Sequence, residues 1–346
     1  MRNLPVGRVF KPVGLLFAVA AMMASVVPGR AQTLKTVKER GSLICGVSQG
    51  LLGFSMADDN GNWTGLDVDL CRALAAAIFN DPSKVRFVPL AANDRFAALQ
   101  SRKIDVLSRN SSWTMSRETG LRLLFAAVNY YDGQGFLVRR TLKRDTALEL
   151  DGTVVCVQAG TTTELNLADF FRTNNMRYEV AKFATADEAV RAYDARRCDV
   201  LTSDISQLYS LRLTLMSPDE HLILPDIISK EPLGPAVRQA DDQWFNIVKW
   251  THYAMVNAEE LGVSSKTLDD ALKSGKPDVK RLVGTEGDFG EQIELTKDWA
   301  ARIIRLVGNY GEVFERNVGT GSKLGIARGI NHLWNDGGIQ YAPPIR

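Results

Sequence analysis

Three short stretches carry residues whose types and spacing suit the recognition of a small zwitterion. The first is Ile104 to Arg117, IDVLSRNSSWTMSR, in which an apolar β-branched run enters a hydroxyl-rich loop. A helix start follows at Thr114, with Arg117 one turn inside it. A guanidinium is planar, permanently charged and shaped to hold a carboxylate through two parallel hydrogen bonds. The second stretch is Ala159-Gly160-Thr161-Thr162-Thr163-Glu164, where Thr161 and Glu164 have capping-box spacing. The free N–H groups and positive dipole end of the helix that follows make an anion-binding position. The third is Asp204, between Ser203 and Ile205. Its carboxylate either caps the helix Ile205 to Met216 or receives an ammonium group. Taken singly, these are a surface turn, a well-capped helix and an N-cap, and a further capping-box spacing at Thr185 and Glu188 carries no functional assignment. Taken together, Arg117 and the amides at Thr162 for a carboxylate and Asp204 for an amine describe an α-amino acid.

The elements that must position these groups alternate between strand and helix. Leu34 to Arg40 reads as a helix with Gly41 at its C-cap, and Leu43 to Val47 as a buried strand followed by the loop Ser48 to Gly53. A turn of Asp, Asn and Gly at 58–61 precedes a helix from Asp67 to Phe79 with Val68, Cys71, Leu74, Ala75 and Ile78 on one face. Strand Val85 to Leu90, a helix near Asp94 to Ser101 and the strand of the opening stretch complete a first α/β unit. A second unit echoes it. Arg102-Lys103-Ile104-Asp105-Val106-Leu107-Ser108 is answered 94 residues later by Arg196-Arg197-Cys198-Asp199-Val200-Leu201-Thr202, and Leu43 to Val47 by Val154 to Val157. Two similar lobes follow, each a mainly parallel sheet covered on both faces, with all three candidate stretches at carboxyl ends of strands, where open α/β sheets bind ligands. Beyond about residue 260, helical patterns at Leu295 to Leu306 and Glu312 to Arg316 form an extension assigned to packing on lobe one. Gly319-Thr320-Gly321 lacks both the preceding strand and the GKS/T of a phosphate loop.

Composition bounds the compartment. Arg2, Arg8 and Lys11 precede an apolar run from Val13 to Val27, and Gly29-Arg30-Ala31 ends in small residues, the pattern of a secretory signal cut after Ala31. The run has some fifteen residues where a membrane span needs about twenty, and no cysteine stands at the cut to carry a lipid. Removing residues 1–31 deletes four positive charges and no negative one, so the formal charge goes from +2 to −2. That balance calls for neither nucleic acid nor an anionic membrane. The exported chain is expected to be soluble and monomeric. Cys45, Cys71, Cys156 and Cys198 form an even set in a chain bound for an oxidising compartment, and two disulfides are expected. Of three connectivities we prefer Cys45 with Cys71 and Cys156 with Cys198, each closing within one half, although the sequence leaves the others open. The three histidines are far apart and there is no CxxC, so neither a metal nor a cofactor is expected.

Gly65-Leu66-Asp67-Val68-Asp69-Leu70, Asn110-Ser111-Ser112-Trp113-Thr114 with Arg117, Gly160-Thr161-Thr162, and Asp199 with Asp204 together resemble motifs of the periplasmic solute-binding proteins of polar amino-acid ABC transporters. YYDGQG at Tyr130, ISKEPLGPAVRQ at Ile228 and GNYGE at Gly308 extend the resemblance to the general L-amino acid-binding subfamily of solute-binding protein family 3. The resemblance implies a two-lobed type II fold of the Venus-flytrap kind with a C-terminal helical extension. Its two crossing hinge strands would run near Asp132 to Arg139 and Ser229 to Gln239, with residues 32–134 and 236–346 as lobe one and 135–235 as lobe two. It also implies that Arg117 takes a ligand carboxylate with the Thr162 N–H, while Ser112 and the Asn110 carbonyl hold the α-amino group from lobe one. Asp204 would hold that group from lobe two, and Thr114 and Thr161 belong to the same loops. The partner implied is the permease of an ABC importer.

Departures from the family bear on specificity. Where members that prefer cationic amino acids carry an Asp and a Tyr in the first loop, this chain has Ser48 and Leu51, and their stacking aromatic falls near Ala92. With Phe54 and Trp113 as apolar walls and no charge facing the side chain, broad specificity is expected. Exported dehydratases resembling this fold are the enzymatic alternative, but the three loops offer no histidine or extra glutamate as acid or base. A sensor would need a membrane span and signalling domain on the same chain.

Overall fold

A computed structural model describes Gly7 and residues 33–346; the signal segment expected at residues 1–31 lies outside the described residues, Gly7 apart. The first lobe begins α1 (Thr33–Arg40), β1 (Leu43–Ser48), β2 (Met56–Ala57), β3 (Trp63–Thr64), α2 (Leu66–Phe79), β4 (Val85–Leu90), α3 (Arg95–Gln100), β5 (Val106–Leu107) and β6 (Leu123–Phe125). The chain crosses to the second lobe through β7 (Tyr130–Asp132) and β8 (Gln134–Arg139). There it builds β9 (Thr153–Gln158), α4 (Thr162–Thr173), β10 (Tyr178–Phe183), α5 (Ala186–Asp194), β11 (Val200–Asp204), α6 (Ile205–Arg212) and β12 (His221–Ile223). It returns through β13 (Glu231–Leu233) and β14 (Ala236–Arg238) to α7 (Asp242–Glu260), α8 (Leu268–Ala271), α9 (Pro277–Val283), α10 (Trp299–Leu306) and α11 (Tyr310–Asn317).

Each lobe is one five-stranded sheet. The first has the order β4-β1-β5-β14-β6 and the second β10-β9-β11-β8-β12, with β1, β4 and β5 parallel in one and β9, β10 and β11 parallel in the other. Strands β14 and β8 enter antiparallel after the crossings. Every residue of β1 is buried, as expected of a strand with helices on both faces. Between the sheets, β7 pairs antiparallel with β13, Asp132 opposite Glu231 and Tyr130 opposite Leu233, so the two crossings form a two-stranded hinge.

The internal echo is structural as well as textual. Arg102 and Arg196 both adopt the left-handed backbone, with φ of 61° and 60°. Three residues on, Asp105 accepts the Ile44 N–H at 2.7 Å and donates its own N–H to the Ile44 carbonyl at 2.9 Å. Asp199 does the same with Val154, at 2.9 Å in both directions. In each lobe an aspartate thus clips the repeated strand to its parallel neighbour and sets the register that brings the following loop to the cleft. The cysteines pair as Cys45–Cys71, joining β1 to α2, and Cys156–Cys198, joining β9 to the turn just before β11.

Residues of α2, α7, α10 and α11 share one hydrophobic core, including Leu74, Trp244, Ile303 and Phe314. The extension therefore completes the apolar cover of the first sheet. It also holds the hinge: the Asn331 amide accepts the Tyr131 N–H at 2.7 Å and donates to the Tyr131 carbonyl at 2.9 Å. Tyr310 donates its hydroxyl to the Asn129 carbonyl at 2.9 Å.

Candidate functional site

The carboxyl ends of the parallel strands of both lobes converge on one polar cavity. From the first lobe it is lined by Arg95 at the start of α3, Arg109, Asn110 and Ser112 after β5, and Arg117; from the second by residues 158 and 161–163 around the start of α4, Ser203 and Asp204 at the end of β11, and Gln207 on α6. Six of the seven residues expected to contact ligand are thereby brought together: Asn110, Ser112, Arg117, Thr161, Thr162 and Asp204.

Arg117 lies on a single π turn, Ser116–Gly120, where a longer helix from Thr114 was expected. The stretch has no apolar stripe to bury, and its side chains bond the backbone locally. The Thr114 hydroxyl accepts the Arg117 N–H at 3.3 Å, and the Arg117 guanidinium donates to the Ser112 carbonyl at 2.8 Å. Thr114 is thus behind the cavity, shaping the turn that presents Arg117, and does not line it. The loop itself is tied down by buried Asp67, whose carboxylate accepts the Asn110 N–H at 2.8 Å, and by the hinge, where the Trp113 N–H donates to the Pro232 carbonyl at 2.8 Å.

Asp204 occupies the N-cap position of α6 yet makes no capping hydrogen bond. Asp132, from the hinge strand, supplies the cap instead: it accepts the Ser206 N–H at 3.3 Å and also the Ser206 hydroxyl. This division of labour leaves the Asp204 carboxylate, 6 % exposed, with Oδ1 unpartnered. Burial raises its pKa well above the ordinary value, with the negative charges of Asp132 and Glu231 adding to the effect. In the other lobe-two loop, Thr161 caps α4 by accepting the Glu164 N–H at 3.4 Å, and buried Gln134 holds the Thr163 carbonyl at 3.0 Å.

The apolar walls fall elsewhere. Phe54 is 1 % exposed and packs edge-on against Tyr130 in the first-lobe core, with Leu51 buried in the same cluster. The Ser48 N–H donates to the Ser55 hydroxyl at 3.0 Å. Trp113 stacks on Phe125 and donates its indole N–H to Glu118 at 2.6 Å. None of the four lines the cavity. Burial of apolar surface turns Phe54 and Leu51 into the core, whereas Trp113 stays partly exposed, held by Phe125 and Glu118. Ala92, where a stacking aromatic was expected to be missing, is likewise buried and does not line it.

Three charged residues escaped the sequence reading. Arg95 and Arg109 line the cavity, where no dedicated charge was expected to face the ligand side chain. Glu231 on β13, 2 % exposed, accepts Thr162 at 2.9 Å, Asn166 at 2.7 Å, Ser229 at 2.8 Å and the Ser112 hydroxyl. It joins both site loops to the hinge. Arg109 stands inside the opening loop and Arg95 one residue past Asp94 after a strand end, so position at a strand terminus was the available signal.

Burial raises the pKa of Asp67 to about 6, against the hydrogen bonds of Asn110 and Asn129, and that of Asp132 to about 6, against those of Ser206 and Gly133. A raised carboxyl pKa means the folded chain binds protons more tightly than the unfolded chain. The associated stability is complete below about pH 4 and is lost as the pH rises through about 6; for Asp67 it is about 3 kcal/mol. Urea denaturation of ligand-free protein between pH 4.5 and 7 should show the Asp132→Asn variant with a shallower fall in stability than the wild type. Parallel curves would exclude the raised Asp132 pKa.

Two mixed sheets joined by a double crossing, with a polar cavity formed from strand ends of both lobes, define a two-lobed solute-binding protein. Residues 43–267 match the bacterial extracellular solute-binding proteins, family 3, and the chain belongs to that family. It is 59 % identical over 331 residues to the general L-amino acid-binding periplasmic protein AapJ of Rhizobium johnstonii, covering 95 % of this chain and 96 % of that one. It is 51 % identical over 330 residues to the glutamate/glutamine/aspartate/asparagine-binding protein BztA of Rhodobacter capsulatus, covering 95 % and 97 %. A solved periplasmic binding protein from Brucella ovis with glutathione bound superimposes with a TM-score of 0.90 at 55 % identity, covering 91 % of this chain and all of that one. These relatives are named as binding proteins, and the chain is a binding protein, not an enzyme.

Proposed function

We propose that the chain is the periplasmic receptor of an ABC importer, capturing L-amino acids of broad side-chain range and delivering them to the permease. The observation that carries this reading is the uncapped Asp204 carboxylate in one lobe sharing a cavity with the Arg117 guanidinium of the other. Arg117 and the Thr162 N–H take the α-carboxylate, while Asp204, Ser112 and the Asn110 carbonyl take the α-ammonium. Residues 32–134 and 236–346 form lobe one, and 135–235 lobe two. Closure follows because only the closed cleft completes both charge pairs.

The same reading takes the N-terminal segment as a signal cleaved after Ala31 and the mature protein as an unlipidated monomer without nucleic-acid partners. Among the described residues no helix is long and apolar enough to cross a membrane. Calorimetry against L-glutamine, its N-acetyl derivative and its α-amide tests the site chemistry. The free amino acid should bind, with each derivative at least 100-fold weaker, because a buried charge left unpaired costs several kcal/mol. Equal binding of a derivative would remove the corresponding charge pair from the assignment. Intact-mass analysis of the exported protein should place its first residue at Gln32.

A further inference from the structure

The arginines of the cavity are not equivalent. Arg117 bonds the Ser112 carbonyl and feels the attraction of Glu231. Arg109 donates its Nε–H to the Leu90 carbonyl at 3.0 Å and has Asp67 as its principal attracting charge. Arg95 has weaker support: Asp204 attracts it, while Arg109 and Arg117 repel it. It is 3 % exposed, and among the described residues its guanidinium makes neither a hydrogen bond nor an ion pair; its Nε is buried without any partner. Its one cushion is the face of Phe96, 4.8 Å from the guanidinium carbon, and the same ring carries Arg117 at 5.2 Å. Two like charges are thus gathered on one ring, with Arg109 lining the same cavity.

Five N–H donors on a permanently charged group are costly to bury unpaired. Three guanidiniums and the carboxylate of Asp204 line the cavity; Arg109 and Arg117 also have the buried carboxylates of Asp67 and Glu231, so Arg95 is the cation left without a partner of its own once Asp204 meets the ligand ammonium. Arg117 and Asp204 are used by the ligand backbone in the reading proposed above, on which this inference rests. We propose that Arg95, backed by Arg109, is a second anion subsite that takes a carboxylate on the ligand's side chain. The site would accept many amino acids but hold best those with a second carboxylate, whether an acidic amino acid or a γ-glutamyl peptide.

Calorimetry on the full exported protein with L-glutamate, L-glutamine and glutathione tests this in wild type, Arg95→Met and Arg95→Lys. L-Glutamate and L-glutamine differ by a charge at nearly constant shape. The wild type should favour L-glutamate or glutathione over L-glutamine by about 10-fold or more, as expected for a charge-assisted hydrogen bond. Arg95→Met should abolish that preference while changing L-glutamine affinity less than threefold, and Arg95→Lys should keep part of it. Removing an unpaired buried charge should also raise the melting temperature of the ligand-free protein by about 2 °C or more. Loss of preference for L-glutamate assigns the subsite to acidic amino acids, and loss confined to glutathione assigns it to γ-glutamyl peptides. Equal weakening of all ligands, or an unchanged L-glutamate to L-glutamine ratio, overturns the subsite while leaving amino-acid capture intact. Failure of every amino acid to bind the wild type overturns both.

Discussion

Replacing Arg117 by Met is expected to weaken L-amino acid binding by about 3 to 5 kcal/mol, roughly a hundred- to several-thousand-fold, while the protein stays folded. The large effect comes from the ligand's side of the contact. In a closed cleft the α-carboxylate has lost its water, and without the Arg117 guanidinium it is a buried charge that has lost its paired cation. The fold should tolerate the change because Arg117 carries little structure: its side chain bonds one carbonyl and lies against Phe96, a surface that a methionine also covers. Burial already pushes its pKa down, with Glu231 and Asp204 opposing. Calorimetry with L-glutamine, alongside circular dichroism of the ligand-free variant, reads the two halves separately. Unchanged affinity would remove Arg117 from the site, and loss of folded signal would give it a structural role instead.

The double variant Cys45→Ala/Cys71→Ala should lose about 3 to 4 kcal/mol of stability. The disulfide closes a loop of 26 residues, and releasing it returns that chain entropy to the unfolded state. Both cysteines are fully buried between β1 and α2, so truncation to alanine adds some lost packing. The melting temperature should fall by roughly 5 to 10 °C. Affinity for L-glutamine should change less than threefold. Asp67, at the start of α2, still holds the Asn110 N–H, and Asp105 still clips β5 to β1. A stability change below about 1 kcal/mol would mean the bridge restrains little that packing does not already restrain, and a large loss of affinity would mean that it sets the loop geometry directly.

The resemblance to a known family, read from a few loops, anticipated the fold class and the hinge crossings; the two-lobe repeat was legible in the residues themselves, and of three cysteine pairings left open the preferred one is observed. These depend on information that is local or repeated. Apolar runs mark β1 and β4, and Thr185 with Glu188 forms the capping box its spacing predicts. The seven-residue echo recurs down to the left-handed arginine and the aspartate clip. Each rests on contacts among residues close in sequence or on a strand meeting its immediate neighbour.

Arg117 and Asp204 were expected at the cleft, but how they are freed for it, and which other charges join them, was decided only in three dimensions. By sequence Asp204 was either an N-cap or a group for a ligand ammonium; tertiary structure brings Asp132 from the hinge, 72 residues earlier, to cap that helix and leaves the Asp204 Oδ1 without a partner among the described residues. Phe54, in a loop beside the site, was drawn into the core by Tyr130, and Arg95, on a short helix with no evident partner, was turned into the cavity. Glu231 gathers donors from Ser112, 119 residues earlier, and from Thr162 and Asn166, 69 and 65 residues earlier, with Ser229 beside it on the hinge. Local sequence determines which elements form, because helix caps and strand patterns are settled within a few residues. The direction a side chain faces follows from how distant elements compete to bury apolar surface and to satisfy each polar group.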